Sequence, residues 1–237
     1  MRIGLFDSGV GGLTVLKTLL NKYPLNEYIY YGDTLNVPYG NKSKEELLKV
    51  AKNNIDFLLN KHVDIIIVAC GTVSSNCLKE LKASYHIPIY SILEPTITYL
   101  NTKNYNNIGV IATQATINSH IFRDSIPKQV YEIATPKLVP LIENNELANI
   151  ENVLVEYLNP YLNKIDVLVL GCTHYPIIKK QIKDLVKKID LLDMADLVTL
   201  NNGQEKRLEI YFSKIDNTII ENTKRILNDD TLTIHKI

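Results

Sequence analysis

Short apolar runs alternate with amphipathic stretches along this chain. The runs "RIGLF" (2–6), "YIYY" (28–31), "DIIIVA" (64–69) and "IPIYSI" (87–92) are read as buried strands. Between them the pattern turns helical. "SKEELLKVAKNNIDFLLNK" opens with Ser43 and has Glu46 three residues later, a capping box, and Leu47, Ala51, Ile55 and Leu58 then share one face. "LTVLKTLL" after the glycines at 9–12 is amphipathic, and Val73, Cys77, Leu78 and Leu81 form a helical stripe. Strand, helix and strand in this order predict parallel strands and an α/β fold.

The second half repeats the plan with "NIGVIA" (107–112), "VYEIA" (130–134), "DVLVLG" (166–171) and "IDLL" (189–192). Three pairs keep one offset of 102 residues: Val37-Pro38 with Val139-Pro140, Cys70 with Cys172, and Ile87–Ser91 with Ile189–Asp193. Ile3-Gly4 and Ile108-Gly109 lie 105 apart, which places a short insertion between them. The spacing predicts an internal duplication, two similar α/β domains: 1–93 joined by 204–237, and 94–203. The segment 204–237 lies outside the duplication. It reads as a helix through Ile219, Ile220, Ile226 and Leu227, then a strand "TLTIHKI", returning to pack on the first domain.

Composition narrows the function. The 237 residues suffice for one large or two small domains. Lys plus Arg number 26, as do Asp plus Glu, so the net charge is zero and the basic excess of a nucleic-acid binder is missing. No apolar run approaches the roughly 20 residues that span a bilayer, and the N-terminus lacks the apolar core of a signal peptide. A cytoplasmic protein is expected, with its three cysteines as thiols.

Two of those thiols carry the chemistry. Cys70 and Cys172 each follow a strand, where open parallel sheets bind ligands. Facing each other across a cleft, they suit inversion of a stereocentre: one thiolate removes a proton and the opposing thiol returns one from behind. His174 can exchange protons with Cys172. Asp7, at the end of the first strand, can do so beside Cys70, or can cap the following helix. The glycines of "DSGVGG" can hold a carboxylate on backbone N–H groups or serve only a tight turn. They are no dinucleotide fingerprint, because Thr14 stands where the last glycine is needed. Two thiols and one histidine fall short of a zinc site, so no metal is expected. Cys77 reads as core. His62, His86, His120 and His235 carry no motif, and Asp64 and Asp166 precede strands and read as the ends of helices or loops.

Five motifs, "IGLFDSGVGGLTVL", "YYGDTLNVPYGNKS", "VACGTVSSN", "PLIE" and "GCTHYP", occur in this order. Through them the chain resembles the aspartate/glutamate racemase superfamily over essentially its full length, and the glutamate branch through "DSGVGG" and "VPYG". The resemblance implies two pseudosymmetric, doubly wound α/β domains with mainly parallel sheets and the active site in the interdomain cleft. It implies cofactor-independent interconversion of L- and D-glutamate, which supplies D-glutamate for peptidoglycan, with no pyridoxal phosphate. It assigns Cys70 and Cys172 as paired acid/base groups, Asp7 and His174 as assistants to proton transfer, and Glu143 as a further acidic residue. Asp7, Ser8, Tyr39, Gly40, Gly71, Thr72, Thr173 and His174 match the substrate-holding stretches. Gly71 departs from the family, which commonly has Asn there. Two alternatives stay open: a racemase of another amino acid, and a non-catalytic amino-acid-binding protein. Glu143 also reads as a solvated charge, and a homodimer is compatible with the sequence.

Overall fold

The structure is a computed structural model that describes residues 1–237. Its first half runs β1 (Arg2–Asp7), α1 (Leu13–Lys22), β2 (Glu27–Gly32), α2 (Lys44–Leu59), β3 (Ile65–Val68), α3 (Gly71–Ser84) and β4 (Ile89–Ser91). Then come α4 (Leu93–Thr102), β5 (Asn107–Ala112), α5 (Gln114–Asn118), α6 (Ile121–Ser125), β6 (Gln129–Ala134), α7 (Leu138–Glu143), α8 (Ile150–Leu158), β7 (Val167–Leu170), α9 (Lys179–Val186) and β8 (Asp190–Asp193). The chain closes with β9 (Arg207–Phe212), α10 (Asn217–Leu227) and β10 (Ile234–Lys236). No helix is long and apolar enough to cross a membrane.

The strands form two parallel sheets, ordered β10-β9-β2-β1-β3-β4 and β6-β5-β7-β8. The pairing registers carry the sequence offsets. Ile3 faces Tyr28 and Ile65, and Ile108 faces Val130 and Val167. Ile66 faces Ile89, and Leu168 faces Leu191. Asp64 and Asp166 have matching tasks in setting this register. Each stands just before its central strand, and its carboxylate accepts backbone N–H from the start of the neighbouring strand: Arg2 N at 2.7 Å, and Asn106 N and Asn107 N at 2.8 Å.

Alternate residues of buried strands face opposite layers. Ile3, Leu5 and Ile67 point into one core while Phe6, Ile66 and Val68 point into another. The outer face of the first sheet is covered by Leu47, Ala51, Ile55 and Leu58 of α2 and by Val73, Cys77 and Leu81 of α3. α7, α8 and α9 cover the second sheet in the same way. Both inner faces share a single core of 29 buried residues, including Leu13, Leu16 and Leu19 of α1, Leu100 of α4 and Ile226 of α10. The expected capping box on α2 is present: the Ser43 hydroxyl accepts from Glu46 N, and Glu46 Oε2 accepts from Ser43 N.

Two features differ from the sequence reading. β9 was not expected, and it extends the first sheet beside β2. The Val37-Pro38 and Val139-Pro140 pair shares an offset but not a structure: the first is a cis bond before a 3-10 turn at Tyr39–Asn41, the second lies inside α7.

Candidate active site

In each sheet the chain turns to opposite sides after its first strand, so β1 and β3, and likewise β5 and β7, end side by side at the point where doubly wound sheets bind ligands. These ends face one cleft of about 490 Å³. Cys70 and Cys172 both line it, and both are buried. Ser8, Tyr39, Gly40, Gly71 and Thr72 line it from the first half, and Glu143, Thr173 and His174 from the second. Asp7 lies behind this lining and is fully buried. Of the residues singled out from sequence, it is the one without a place on the wall.

Cys70 is the N-cap residue of α3. Burial is the main force on its thiol and pushes the pKa well up, with the Asp7 carboxylate adding to it; Val73 N–H and Ser8 face the sulfur and oppose the rise. The backbone N–H groups of this first turn lie where a helix start favours an anion.

Cys172 has a different neighbour. Its sulfur lies 3.6 Å from His174 Nδ1, and His174 Nε2 lies 2.8 Å from Glu143 Oε1. Burial alone would lower the His174 pKa, but its bonds to Cys172 and Glu143 outweigh burial and hold it well above the usual histidine value. As imidazolium, both ring nitrogens donate. Glu143 is desolvated, which raises its pKa, yet the His174 bond and charge bring it below the ordinary value. Its side chain is about 37 % exposed, so it stands at the cleft edge, hydrogen-bonded rather than merely solvated.

The glycine loop holds the carboxylate of its own Asp7. Gly9 N–H donates to Asp7 Oδ1 at 3.1 Å, and a side chain at Gly11 would overlap the His174 ring and Thr173 Oγ1. The loop is the seat on which the second half's Cys-Thr-His motif rests. Thr14 Oγ1 donates to Thr173 O at 2.7 Å, and Thr173 Oγ1 donates to Asp7 Oδ2 at 3.4 Å. Asp7 does not cap α1, whose N-cap is Gly12. Burial raises the Asp7 pKa, against the pull of His174 and of the Gly9 and Gly12 N–H groups.

Thr113 is a lining residue that the sequence reading missed. It follows β5 as Ser8 follows β1, 105 residues on, and its hydroxyl lies 3.0 Å from Thr72 Oγ1. The offset of 105 that relates Ile3-Gly4 to Ile108-Gly109 marks it. No Lys or Arg lines the cleft. A carboxylate bound there meets hydroxyls, backbone N–H groups and His174.

The family model for Asp/Glu/Hydantoin racemase matches residues 18–199. A glutamate racemase of Aquifex aeolicus is 37 % identical over 242 aligned residues, covering 97 % of this chain and 95 % of that protein. Among solved structures, a glutamate racemase from Francisella tularensis in complex with D-glutamate superposes with a TM-score of 0.87 at 30 % identity, covering 100 % of this chain and 97 % of the other. Glutamate racemase from Aquifex pyrophilus gives a TM-score of 0.84 at 35 % identity, with 99 % and 98 % covered. The chain belongs to the Asp/Glu/Hydantoin racemase family.

Proposed function

We propose that this protein is a glutamate racemase that interconverts L- and D-glutamate by proton transfer between two thiols, without a cofactor. One observation carries the reading: Cys70 and Cys172 end corresponding strands of two like sheets and line the same cleft. Glutamate held between them presents one face of Cα to each sulfur. In one direction the Cys70 thiolate takes the Cα proton and the Cys172 thiol delivers its own to the opposite face. Cys70 ends as thiol and Cys172 as thiolate, with the His174 imidazolium as counter-ion. The reverse direction exchanges the roles. The family resemblance gives D-glutamate to Cys70.

The Cα proton is a very weak acid, so charge developing on the substrate carboxylate must be met by fixed donors. Gly71 and Thr72 N–H at the α3 start and the hydroxyls of Ser8 and Thr72 supply them. Glu143 orients His174, and Asp7 holds Gly9 N–H and the Thr173 hydroxyl. The two halves, 1–93 with 204–237 and 94–203, close on the substrate against their shared core. The product serves peptidoglycan synthesis in the cytoplasm, a reducing setting that suits three free, buried cysteines. The reading leaves a homodimer open.

The test is glutamate incubated with the protein in D₂O, starting from each enantiomer and followed by circular dichroism and the Cα–H NMR signal. Inversion with deuterium entering Cα is expected, lost by about 10³-fold or more in Cys70→Ser and in Cys172→Ser. Aspartate and glutamine run beside it, because no Lys or Arg lines the cleft to demand a side-chain carboxylate. Faster turnover of either replaces glutamate as substrate. Binding without inversion or exchange replaces the enzyme with a binding protein.

A further inference from the structure

Asp33 follows β2 and is fully buried, outside the cleft lining. A carboxylate withdrawn from water is costly unless its oxygens are bonded. Here all the donors are neutral. Asn36 Nδ2 reaches both oxygens at 2.9 Å, Ser213 Oγ donates to Oδ1 at 2.8 Å, and the Tyr39 hydroxyl donates to Oδ2 at 2.7 Å. The Tyr39 hydroxyl in turn accepts from Asn54 Nδ2 at 3.0 Å. Burial, then the Asp33 charge, push the Tyr39 pKa far up, so the hydroxyl keeps its proton and donates.

These bonds gather three parts of the chain: the 33–41 segment, α2, and the corner after β9. Ser213 ties the same corner down again by accepting from Leu35 N at 2.8 Å. The segment is held besides by the Thr34 hydroxyl, which donates to Lys214 O and accepts from Lys214 N at 3.0 Å, and by the buried Tyr39 ring, while Leu35 and Val37 are 64 % and 44 % exposed and bury little apolar surface. Yet Val37, Pro38, Tyr39 and Gly40 form one wall of the cleft. With its hydroxyl engaged by Asp33 and Asn54, Tyr39 offers the cleft its ring and backbone.

We propose that Asp33 is a positioning residue of the substrate cleft: by tying Tyr39 and Asn36 to Ser213 it fixes the Val37–Gly40 wall, and substrate affinity depends on it more than proton transfer does. The inference rests on the racemase reading for its substrate. The two thiols, His174 and Glu143 are carried by other elements, so loosening this wall leaves the acid–base groups in place.

The test compares Asp33→Asn, Tyr39→Phe and the double variant with wild type, using both glutamate enantiomers. Asp33→Asn is expected to raise KM about tenfold for each enantiomer, the loss of about one charge-assisted bond's worth of positioning, with kcat changed less than about threefold and its pH profile unmoved. Tyr39→Phe raises KM in the same direction, and the double variant falls short of the sum of the two single effects, because they share one bond. Hydrogen exchange of backbone amides 34–41 speeds up in Asp33→Asn while β1 and β3 keep their protection. An unchanged KM in folded Asp33→Asn, additive effects, or a fall in kcat at constant KM overturns the proposal. Should Asp33→Asn not fold, Asn36→Ala removes a single donor and decides: a KM rise of about threefold supports the clamp, and an unchanged KM rejects it. If wild type turns over no glutamate, the racemase reading fails by itself. The exchange measurement then still decides whether Asp33 holds the wall.

Discussion

The two thiol sites are built on the same backbone and furnished differently. Cys70 and Cys172 occupy equivalent strand ends, and the strand registers around them agree residue for residue. Beyond the sulfurs the likeness stops. His174 corresponds by offset to Thr72, and Asp7 to Ala112, so each half carries one ionisable assistant that the other lacks. Cys70 sits on a helix start of 14 residues with a buried carboxylate nearby. Cys172 precedes a 3-10 turn at Tyr175–Ile178 that His174 caps, and has an imidazole paired to a carboxylate instead. Likeness holds for the thiols and their scaffold, not for what tunes them. Racemisation tolerates this. Enantiomers have equal free energy, so kcat/KM must be equal in both directions in any variant, and the asymmetry between the sites can appear only in kcat and KM separately.

The largest break in the comparison is predicted at His174. His174→Gln should lower kcat/KM by about 10²-fold, equally in both directions, because it removes the counter-ion and proton-exchange partner of Cys172 while Cys70 is untouched. Glu143→Gln should cost about tenfold and shift the pH profile. Glu143 helps hold the His174 pKa above its ordinary value of 6.5, so removing its charge lets the imidazolium lose its proton earlier. The alkaline limb of kcat/KM should therefore move to lower pH in Glu143→Gln. Stability follows the same signs. The raised His174 pKa contributes fully below 6.5 and fades as pH rises through the folded value. The lowered Glu143 pKa contributes above its ordinary 4.5 and fades as pH falls through the folded value. The melting difference between wild type and Glu143→Gln should be widest between these values. An alkaline limb that stays in place would show that His174 is set by Cys172 alone.

On the other side, Asp7→Asn should separate activity from stability. Burial raises the Asp7 pKa in the fold, so stability declines as pH climbs from the ordinary value of 3.8 through the folded value, and the loss persists at neutral pH. An amide keeps an acceptor for Gly9 N–H and carries no charge. Asp7→Asn should melt at least about 2 °C above wild type at pH 8, the shift expected for roughly 1 kcal/mol in a chain of this size, and no higher at pH 3. Racemisation should fall in the same variant. Equal melting at pH 8 would mean that the carboxylate is already neutral or fully compensated there.

The difference between the sites also marks what the sequence made legible. Strands buried on both faces read as continuous apolar runs, so the two sheets, their parallel order and the offset of 102 residues stood out, and the cysteines with them. β9 did not, because "RLEIYF" starts with exposed and half-buried residues at a position where no apolar run announces a strand. The glycine loop was legible only in part. Its local pattern fits an anion cradle, and only the approach of the second half shows that the His174 ring fills the space at Gly11. Glu143 was ambiguous in a polar run until α7 brought it to His174. Asp33 carried no signal, since its partner Ser213, and the Asn54 that bonds its partner Tyr39, are remote in sequence.

The smallest predicted effect lies at a seam between the two halves. A side chain at Gly71 would place its Cβ 2.9 Å from the Gly171 carbonyl oxygen, closer than such atoms sit in folded proteins. Gly171 cannot retreat easily. Its N–H donates to Ile111 O at 2.8 Å, and its own Cα faces that carbonyl with no room for a side chain. The first turn of α3 must therefore move by a few tenths of an ångström, and Cys70 moves with it. A misplacement of 1 Å at a reacting group can cost about 10²-fold, so Gly71→Ala should lower kcat by about three- to tenfold. Its effect on melting should be small, since alanine favours the helix while the contact opposes it. Gly71→Asn, the residue common in the family at this place, carries the same Cβ and should not recover the loss. If Gly71→Asn instead exceeds wild type, the seam between the halves yields freely, and the glycine reflects substrate choice rather than fit.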